Sequence, residues 1–363
     1  MTTMATVTPH KNNQSPSAPP AQVKSAGQIR SQQLRQDLMG VSNRWRERHP
    51  VLTRYQDWIG GVIMLLSVGV MALAGFAYTQ GWLGAIPTVM IIAIATSFIH
   101  ELEHDLIHYV YFRHRPVLHH TMMALCWLTR TGTINPWIRR YVHLLHHKVS
   151  GTAKDIEERG ITNGTPWSPF RLIMIADGMM ALLGRSGDAL KAGRLHQLII
   201  RGLAAYFPIG LAHYGLWYLY LSFHISSMVA PQWSAAFWSA SVVEIMPLVN
   251  VIAVIWIWPF FIRSFCLNFV SSNMHYFGDV EDDNIIQQTQ VWTRWWLAPL
   301  YLFCFNFGAT HGIHHFVVRD PFYVRQWVAK ESQGLMKAAG VRFNDFGTFK
   351  RANRFTKTAD QYG

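Results

Sequence analysis

Residues 100–108 read His-Glu-Leu-Glu-His-Asp-Leu-Ile-His, and they follow directly on an apolar run covering residues 82–99. In a helix, residues four apart share a face. His100, His104 and His108 therefore form a stripe where the chain leaves an apolar environment. His100 and His104 can share one ion. His108 lies two turns beyond His100, about 12 Å along the axis, and is read as an outer group, with ligation left open as the alternative. Glu101, Glu103 and Asp105 are expected to orient the imidazole N–H groups from behind. Two further clusters repeat a common pattern, His143-x2-His146-His147 and His311-x2-His314-His315. In each, the first histidine pairs with a later one at i+3 or i+4. The adjacent pair diverges by about 100°, so its members can serve different ions. His275, in Ser271-Ser-Asn-Met-His-Tyr-Phe-Gly-Asp279, stands by itself. Imidazole is the commonest protein metal ligand. Nine such residues are too many for one ion, and the near-repeat suggests a roughly symmetric centre for two.

The rest of the chain sets these clusters beside a membrane. It has 363 residues, 50% hydrophobic but 14% charged, with 15 Trp. Four apolar runs are long enough to cross a bilayer, which takes roughly 20 helical residues. They cover residues 58–78, 82–99, 200–223 and 237–262. Only Thr79, Gln80 and Gly81 join the first two, which predicts an antiparallel hairpin. Arg44, Arg46, Arg48 and Arg54 precede the first run. Arg113, Arg115, Arg130, Arg139, Arg140, Lys148, Lys154 and Arg159 lie between the second and third. The positive-inside rule then places both termini, this segment and every histidine cluster in the cytoplasm. Trp58, Trp82, Trp238, Trp256 and Trp258 sit near run ends, as interfacial anchors do. Pro208 and Pro247 fall inside runs and predict kinks. Glu244, also inside a run, is either a functional carboxylate or a hydrogen-bonded group near the outer end.

The net charge of +12 fits an anionic membrane surface, and the apolar runs favour that reading over nucleic acid. Cys126, Cys266 and Cys304 form no CxxC pair, so they are read as buried fillers and not as thiolate ligands. Single histidines such as His196, His213 and His224, and the doublet His119-His120, are read as packed or hydrogen-bonded residues. Residues 1–40, rich in Ser, Gln, Pro and Ala, are expected to be a disordered cytosolic tail. They lack the apolar centre of a secretory signal peptide. Residues 41–330 are expected to form the membrane domain and 331–363 a second cytosolic tail. All-nitrogen sites suit iron, copper, zinc or nickel. A catalytic zinc needs one ion and three protein ligands, so nine histidines favour a redox pair. The fold class is all-α integral membrane, four transmembrane helices with a cytosolic helical cap over a histidine-rich two-metal site.

On these residues, from about Trp58 to Phe316, the chain resembles the membrane fatty-acid desaturase and alkane hydroxylase superfamily. The resemblance lies in box order, spacing and span arrangement, and His-Glu-Leu at 100–102 resembles the first box of the hydroxylase branch. It implies a non-haem di-iron centre held by His100, His104, His143, His146, His147, His275, His311, His314 and His315. It also implies molecular oxygen as oxidant and a fatty acid or acyl thioester substrate. Relatives often carry Asn four residues before the isolated histidine, whereas this chain has Ser271 there and Asn273 two before. No GxGxxG, His-Pro-Gly-Gly or cysteine cluster motif is present, so the two electrons must come from a separate donor, ferredoxin-like or similar. The implied reactions are desaturation, hydroxylation and oxidative decarboxylation of a free acid to a 1-alkene, with desaturation the commonest in the superfamily. The implied location is a bacterial inner membrane. Arg139, Arg140 and Arg263 are candidates for a substrate carboxylate or carrier phosphate, or else for lipid headgroups. The competing class is a zinc membrane hydrolase, receptor-like protein or transporter. A transporter would place its ligands midway along its spans.

Overall fold

The computed structural model describes residues 24–232 and 237–356, and they are mostly helical. Helix α1 covers Ala26–Arg48. Helices α2 (Gln56–Thr79) and α3 (Ala85–Ile107) form the expected hairpin. Helices α4 (Pro116–Thr129) and α5 (Pro136–Val149) follow. Next come α6 (Leu195–Tyr206) and α7 (Ile209–Val229), then α8 (Ala240–Ile252) and α9 (Trp258–Met274). Helices α10 (Phe307–Phe316) and α11 (Phe322–Ala338) complete the set used below.

Among the described residues three helices are long and apolar enough to cross a membrane: α2, α3 and the continuous stretch Ala240–Met274. The pair α6 and α7 makes a fourth only if it counts as one span, and it is bent by 98°. Helix α2 has the inverted pattern of a lipid-facing helix. Its buried face is Gly60, Met64, Ser67, Met71 and Ala74, while Leu65 and Leu73 are 69% and 70% exposed. Small residues inside permit close helix approach, and large apolar residues outside suit lipid. Gly60 instead makes room for the Tyr111 ring beyond α3, since a Cβ there would lie 2.7 Å from its Cδ1. The 98° bend falls at the expected Pro208. Pro247 stays inside α8, and the irregularity comes later, as a π-helical segment at Ala253–Ile257. Pro259, just beyond it, lacks the N–H that the Ile255 carbonyl would accept.

The spans reach further than their apolar runs. Ala240–Met274 has 35 residues, about 52 Å at 1.5 Å per residue, against a hydrocarbon core of about 30 Å. Helix α3 likewise continues to Ile107. Both are longer than the hydrocarbon core needs, and they carry His104 and His275 at their C-terminal ends. Helix α3 is buried on every face from Ile99 to Ile107. The three cysteines are buried, as expected.

Neither expected tail is one within the described residues. Residues 1–23 and 357–363 lie outside them. Helix α1 starts in a capping box, with Gln28 N–H donating to Ser25 Oγ (3.1 Å) and Ser25 N–H to Gln28 Oε1 (3.0 Å). Its buried Ser31, Leu34, Leu38, Val41 and Ser42 form one helical face. Leu34 and Leu38 pack with Val291, Ile313, Phe316 and Met336. Polar composition concealed this narrow stripe, two of whose members are serines with buried acceptors in Asn284 (2.9 Å) and Asp320 (2.7 Å). At the other end α11 runs through residue 331, and Arg342–Phe343 pairs in parallel with Gln290–Val291. Asn353 is fully buried, donates to the His275 carbonyl (3.3 Å) and also contacts the Ser272 carbonyl. The C-terminal segment is thus a strap over the isolated histidine.

Candidate metal centre

The four histidine clusters converge. From α3 come His104 and, at its C-cap, His108; from α5 come His143, His146 and His147. Helix α9 delivers His275 just past its end, and α10 carries His311, His314 and His315. Two groups of ligand nitrogens result. His104, His108, His143 and His314 have ligand atoms within 4.8 Å of one another, as do His146, His275 and His315. Within the first group, Nε2 of His108 lies 3.0 Å from Nε2 of His143 and 3.1 Å from that of His314. Nε2 of His147 joins it, 3.1 Å from His143 and 2.9 Å from His314. In the second, Nε2 of His315 is 3.1 Å from that of His275 and 3.2 Å from that of His311. The groups abut, with the rings of His147 and His315 centred 5.0 Å apart.

The opposite ring nitrogens explain why these atoms face each other. His146 Nδ1–H donates to Asp155 (2.8 Å), His143 Nδ1–H to Glu157 (2.8 Å), and His275 Nδ1–H to the Ser271 carbonyl (2.9 Å). Glu158 approaches His275 Nδ1 at 3.4 Å. A proton fixed on Nδ1 leaves a lone pair on Nε2. Several lone pairs about 3 Å apart in a buried space repel unless a cation sits among them. Metal–nitrogen bonds of about 2.0–2.1 Å at right angles bring neighbouring ligands about 2.9 Å apart, close to the spacing seen. Burial holds His143, His147, His311, His314 and His315 below the usual imidazole range, and hence neutral. Burial also opposes a cation at His146, yet Asp155, Glu157 and Glu158 outweigh it and push its pKa up to about 9, so without a metal this ring carries a second proton on Nε2 that a bound ion would have to displace. Burial opposes an anion at Glu157, but His143 holds that carboxyl at about 2.

Three expectations need adjustment. His108, read as an outer group, stands inside the first set. His108 is the C-cap, so its ring projects from a turn that has left the regular helix. His100 stands one step back, its ring centred 6.4 Å from His104 and both its nitrogens buried without a partner. Glu101, Glu103 and Asp105 turn sideways and make no hydrogen bond to the histidines, although Asp105 comes within 3.9 Å of His104 Nδ1. Arg325 Nη2 lies 3.0 Å from both Glu101 and Asp105, and Arg139 lies 3.1 Å from Glu103, which Arg130 also contacts. The backing carboxylates are instead Asp155, Glu157 and Glu158. Their position eight to twelve residues after His146 and His147, in Lys154-Asp-Ile-Glu-Glu158, was the available signal. As expected, His119 and His213 take other partners, the Tyr111 carbonyl (3.0 Å) and Thr131 (2.8 Å). His224 and His120 bond Asn250 and Trp137. Asn273 donates to the Phe269 carbonyl (2.7 Å) and so points along its own helix.

Helices apolar enough to span a bilayer, joined to buried histidine groups that could hold metal, are the features of a membrane protein with a candidate metal centre. The family model described as fatty acid desaturase matches residues 80–347, and the chain belongs to that family. No curated protein matches the chain. Membership implies oxidoreductase activity of the desaturase type, with a fatty-acid substrate in a membrane lipid environment and a typical dependence on iron.

Proposed function

We propose that this protein is a di-iron, oxygen-dependent oxidase of a fatty acid or fatty-acyl chain, and that the reaction is desaturation. The observation that carries this is the pair of abutting imidazole groups with inward-facing Nε2 atoms. His104, His108, His143, His147 and His314 would hold one iron, and His146, His275, His311 and His315 the other. His100, with two unpartnered nitrogens beside His104, is available to the first. Iron held there supplies oxygen activation and C–H oxidation, with two electrons from an external donor.

The chain's own residues do the remaining work. Asp155, Glu157 and the Ser271 carbonyl keep the Nδ1 protons in place, so each ring presents its Nε2 inward. Arg325, bonded to Glu101 and Asp105, ties α3 to α11. The strap residue Asn353 holds the backbone at His275. Nearly complete burial of the histidines keeps bulk water from the reacting carbons. We place the histidine side and both termini in the cytoplasm, four spans in the membrane, and a ferredoxin-like donor on that face. The arginine excess between the second and third apolar runs supports that orientation.

Metal analysis of purified protein tests the cofactor. Two irons per chain are expected, and zinc alone would move the protein to the hydrolase class. Mass spectrometry of products from cells fed medium- and long-chain fatty acids, with His315→Ala as control, tests the reaction. Loss of two hydrogens at unchanged carbon number is expected. Gain of one oxygen would assign hydroxylation, and a 1-alkene one carbon shorter would assign decarboxylation.

A further inference from the structure

Arg263 in α9 is 2% exposed and has no carboxylate partner among the described residues. Its one hydrogen bond is from Nη2 to Ser264 Oγ (2.6 Å), and its Nε and Nη1 are buried with nothing to donate to. An unpaired charge in such a place costs several kcal/mol, so its retention calls for an anion. The neighbours increase that need. Arg130, also 2% exposed, and Arg139 share a single carboxylate, Glu103. Glu101 and Asp105 are already engaged by Arg325. Among the described residues Glu103 is thus the one carboxylate in direct ion-pair contact with any of Arg130, Arg139 and Arg263, while Glu101 acts on Arg130 and Arg139, and Glu157 on Arg139, from further away. All three guanidiniums act electrostatically on His100, whose ring neighbours that of His104. Metal ions bound nearby would add further positive charge.

The depth of Arg263 narrows the choice of anion. It lies 23 residues after Ala240, the start of α8. That is roughly 35 Å along the helix, about the thickness of the hydrocarbon core. A guanidinium at this level meets the head of an amphiphile lying in the bilayer. The Phe260 ring, 5.7 Å from the guanidinium, makes one wall. His213, whose ring packs edge-on against Phe260 at 4.7 Å, adds a buried Nε2 without a partner. The site thus offers two arginines and an imidazole nitrogen beside an aromatic wall.

We propose that Arg263, with Arg130, binds the carboxylate of a free fatty acid, so that the substrate lies head group inward and is oxidised near its carboxyl end. Guanidinium–carboxylate pairing is the strong, geometrically selective form of this contact. A thioester carbonyl brings no charge to satisfy it. This inference rests on the lipid-oxidation reading above and adds the head group and its orientation.

The test uses the full-length, metal-loaded protein in nanodiscs, with dodecanoic acid and methyl dodecanoate as probes. Binding is read by displacement of a fluorescent fatty acid, and products by mass spectrometry. Wild type is expected to bind the acid at least about tenfold more tightly than the ester, the size of a charged hydrogen bond. Arg263→Gln and Arg263→Met should bring that ratio close to one by raising KM for the acid, while Arg263→Lys retains part of it. Arg263→Met should fold, because it removes an uncompensated charge. If it does not, the wild-type ratio and Arg263→Lys carry the decision. Equal wild-type binding of acid and ester, or an unchanged ratio in Arg263→Gln, overturns the inference and leaves lipid oxidation standing. A wild type that binds the acid selectively but oxidises neither probe overturns the oxidase reading and leaves the carboxylate site standing.

Discussion

Nε2 of His147 lies 2.9 Å from Nε2 of His314, although 167 residues separate them in sequence. Helix α5 and helix α10 meet at this contact, and on the reading proposed above the two neutral imidazoles would share an iron there. His147→Ala or His314→Ala should therefore abolish product formation and lower the iron content, with the protein still inserted in the membrane. Retained turnover in both variants would sink the ligand assignment.

The carboxylates behind the rings should tune the metal without touching it. Asp155→Asn and Glu157→Gln keep the shape but weaken the hold on the Nδ1 protons of His146 and His143. A fall in iron affinity of about 10- to 100-fold is expected for each, measured by competition with a chelator. An unaltered affinity in both would show that these acids serve only packing.

Arg325 is buried between Glu101 and Asp105, 3.0 Å from each. Arg325→Met should destabilise the protein by about 3–5 kcal/mol, because two buried acids lose their counter-ion. The measurement is a denaturation midpoint in detergent, where a change below about 1 kcal/mol would count against the network.

Helix α1 should matter to stability. Leu38, 1% exposed, packs in the cluster of Ile313 and Met336. Leu38→Ala should cost about 2–5 kcal/mol, and deletion of residues 1–40 should cost more, since Leu34 goes too. A deletion variant as stable as the full chain would show that this contact is dispensable.

Asp345 ties the C-terminal strap to the residue after His275. It accepts from Tyr276 OH (2.7 Å) and from Arg351 (3.1 Å). Burial opposes its charge, but the bonds from Arg351 and Tyr276 hold its pKa below the usual carboxylate range. A depressed pKa stabilises the folded state above the unfolded value of about 3.9 and loses that contribution as pH falls through the folded value. Hydrogen-exchange protection across residues 342–356, corrected for the intrinsic rate at each pH, should fall below about pH 4, and Asp345→Asn should remove this pH dependence.

Much of the site was legible because its signals are local. The i, i+3 and i+4 spacings of His143, His146 and His147, and of His311, His314 and His315, put ligands on one helix face without reference to the rest of the fold. Long apolar runs mark helices in a bilayer for a similar reason, since each must satisfy its own backbone in lipid. By the same local logic Pro208 marked a bend.

What sequence could not decide were partnerships between distant segments. Glu103 is near the histidines in sequence, yet it belongs to Arg130 and Arg139, while Asp155 and Glu157 arrive from beyond α5 to back the rings. His108 enters the centre because α3 ends at that residue and its ring leaves the helix stripe. Helix α1 and the strap at Asn353 were misread as tails because their buried faces are narrow and partly polar, and only tertiary contact supplies the partners. Local periodicity marked most of the candidate ligands and the segments apolar enough to span. Long-range packing decided which nitrogens face each other, which acids stand behind them, and that Arg263 is buried without a counter-ion.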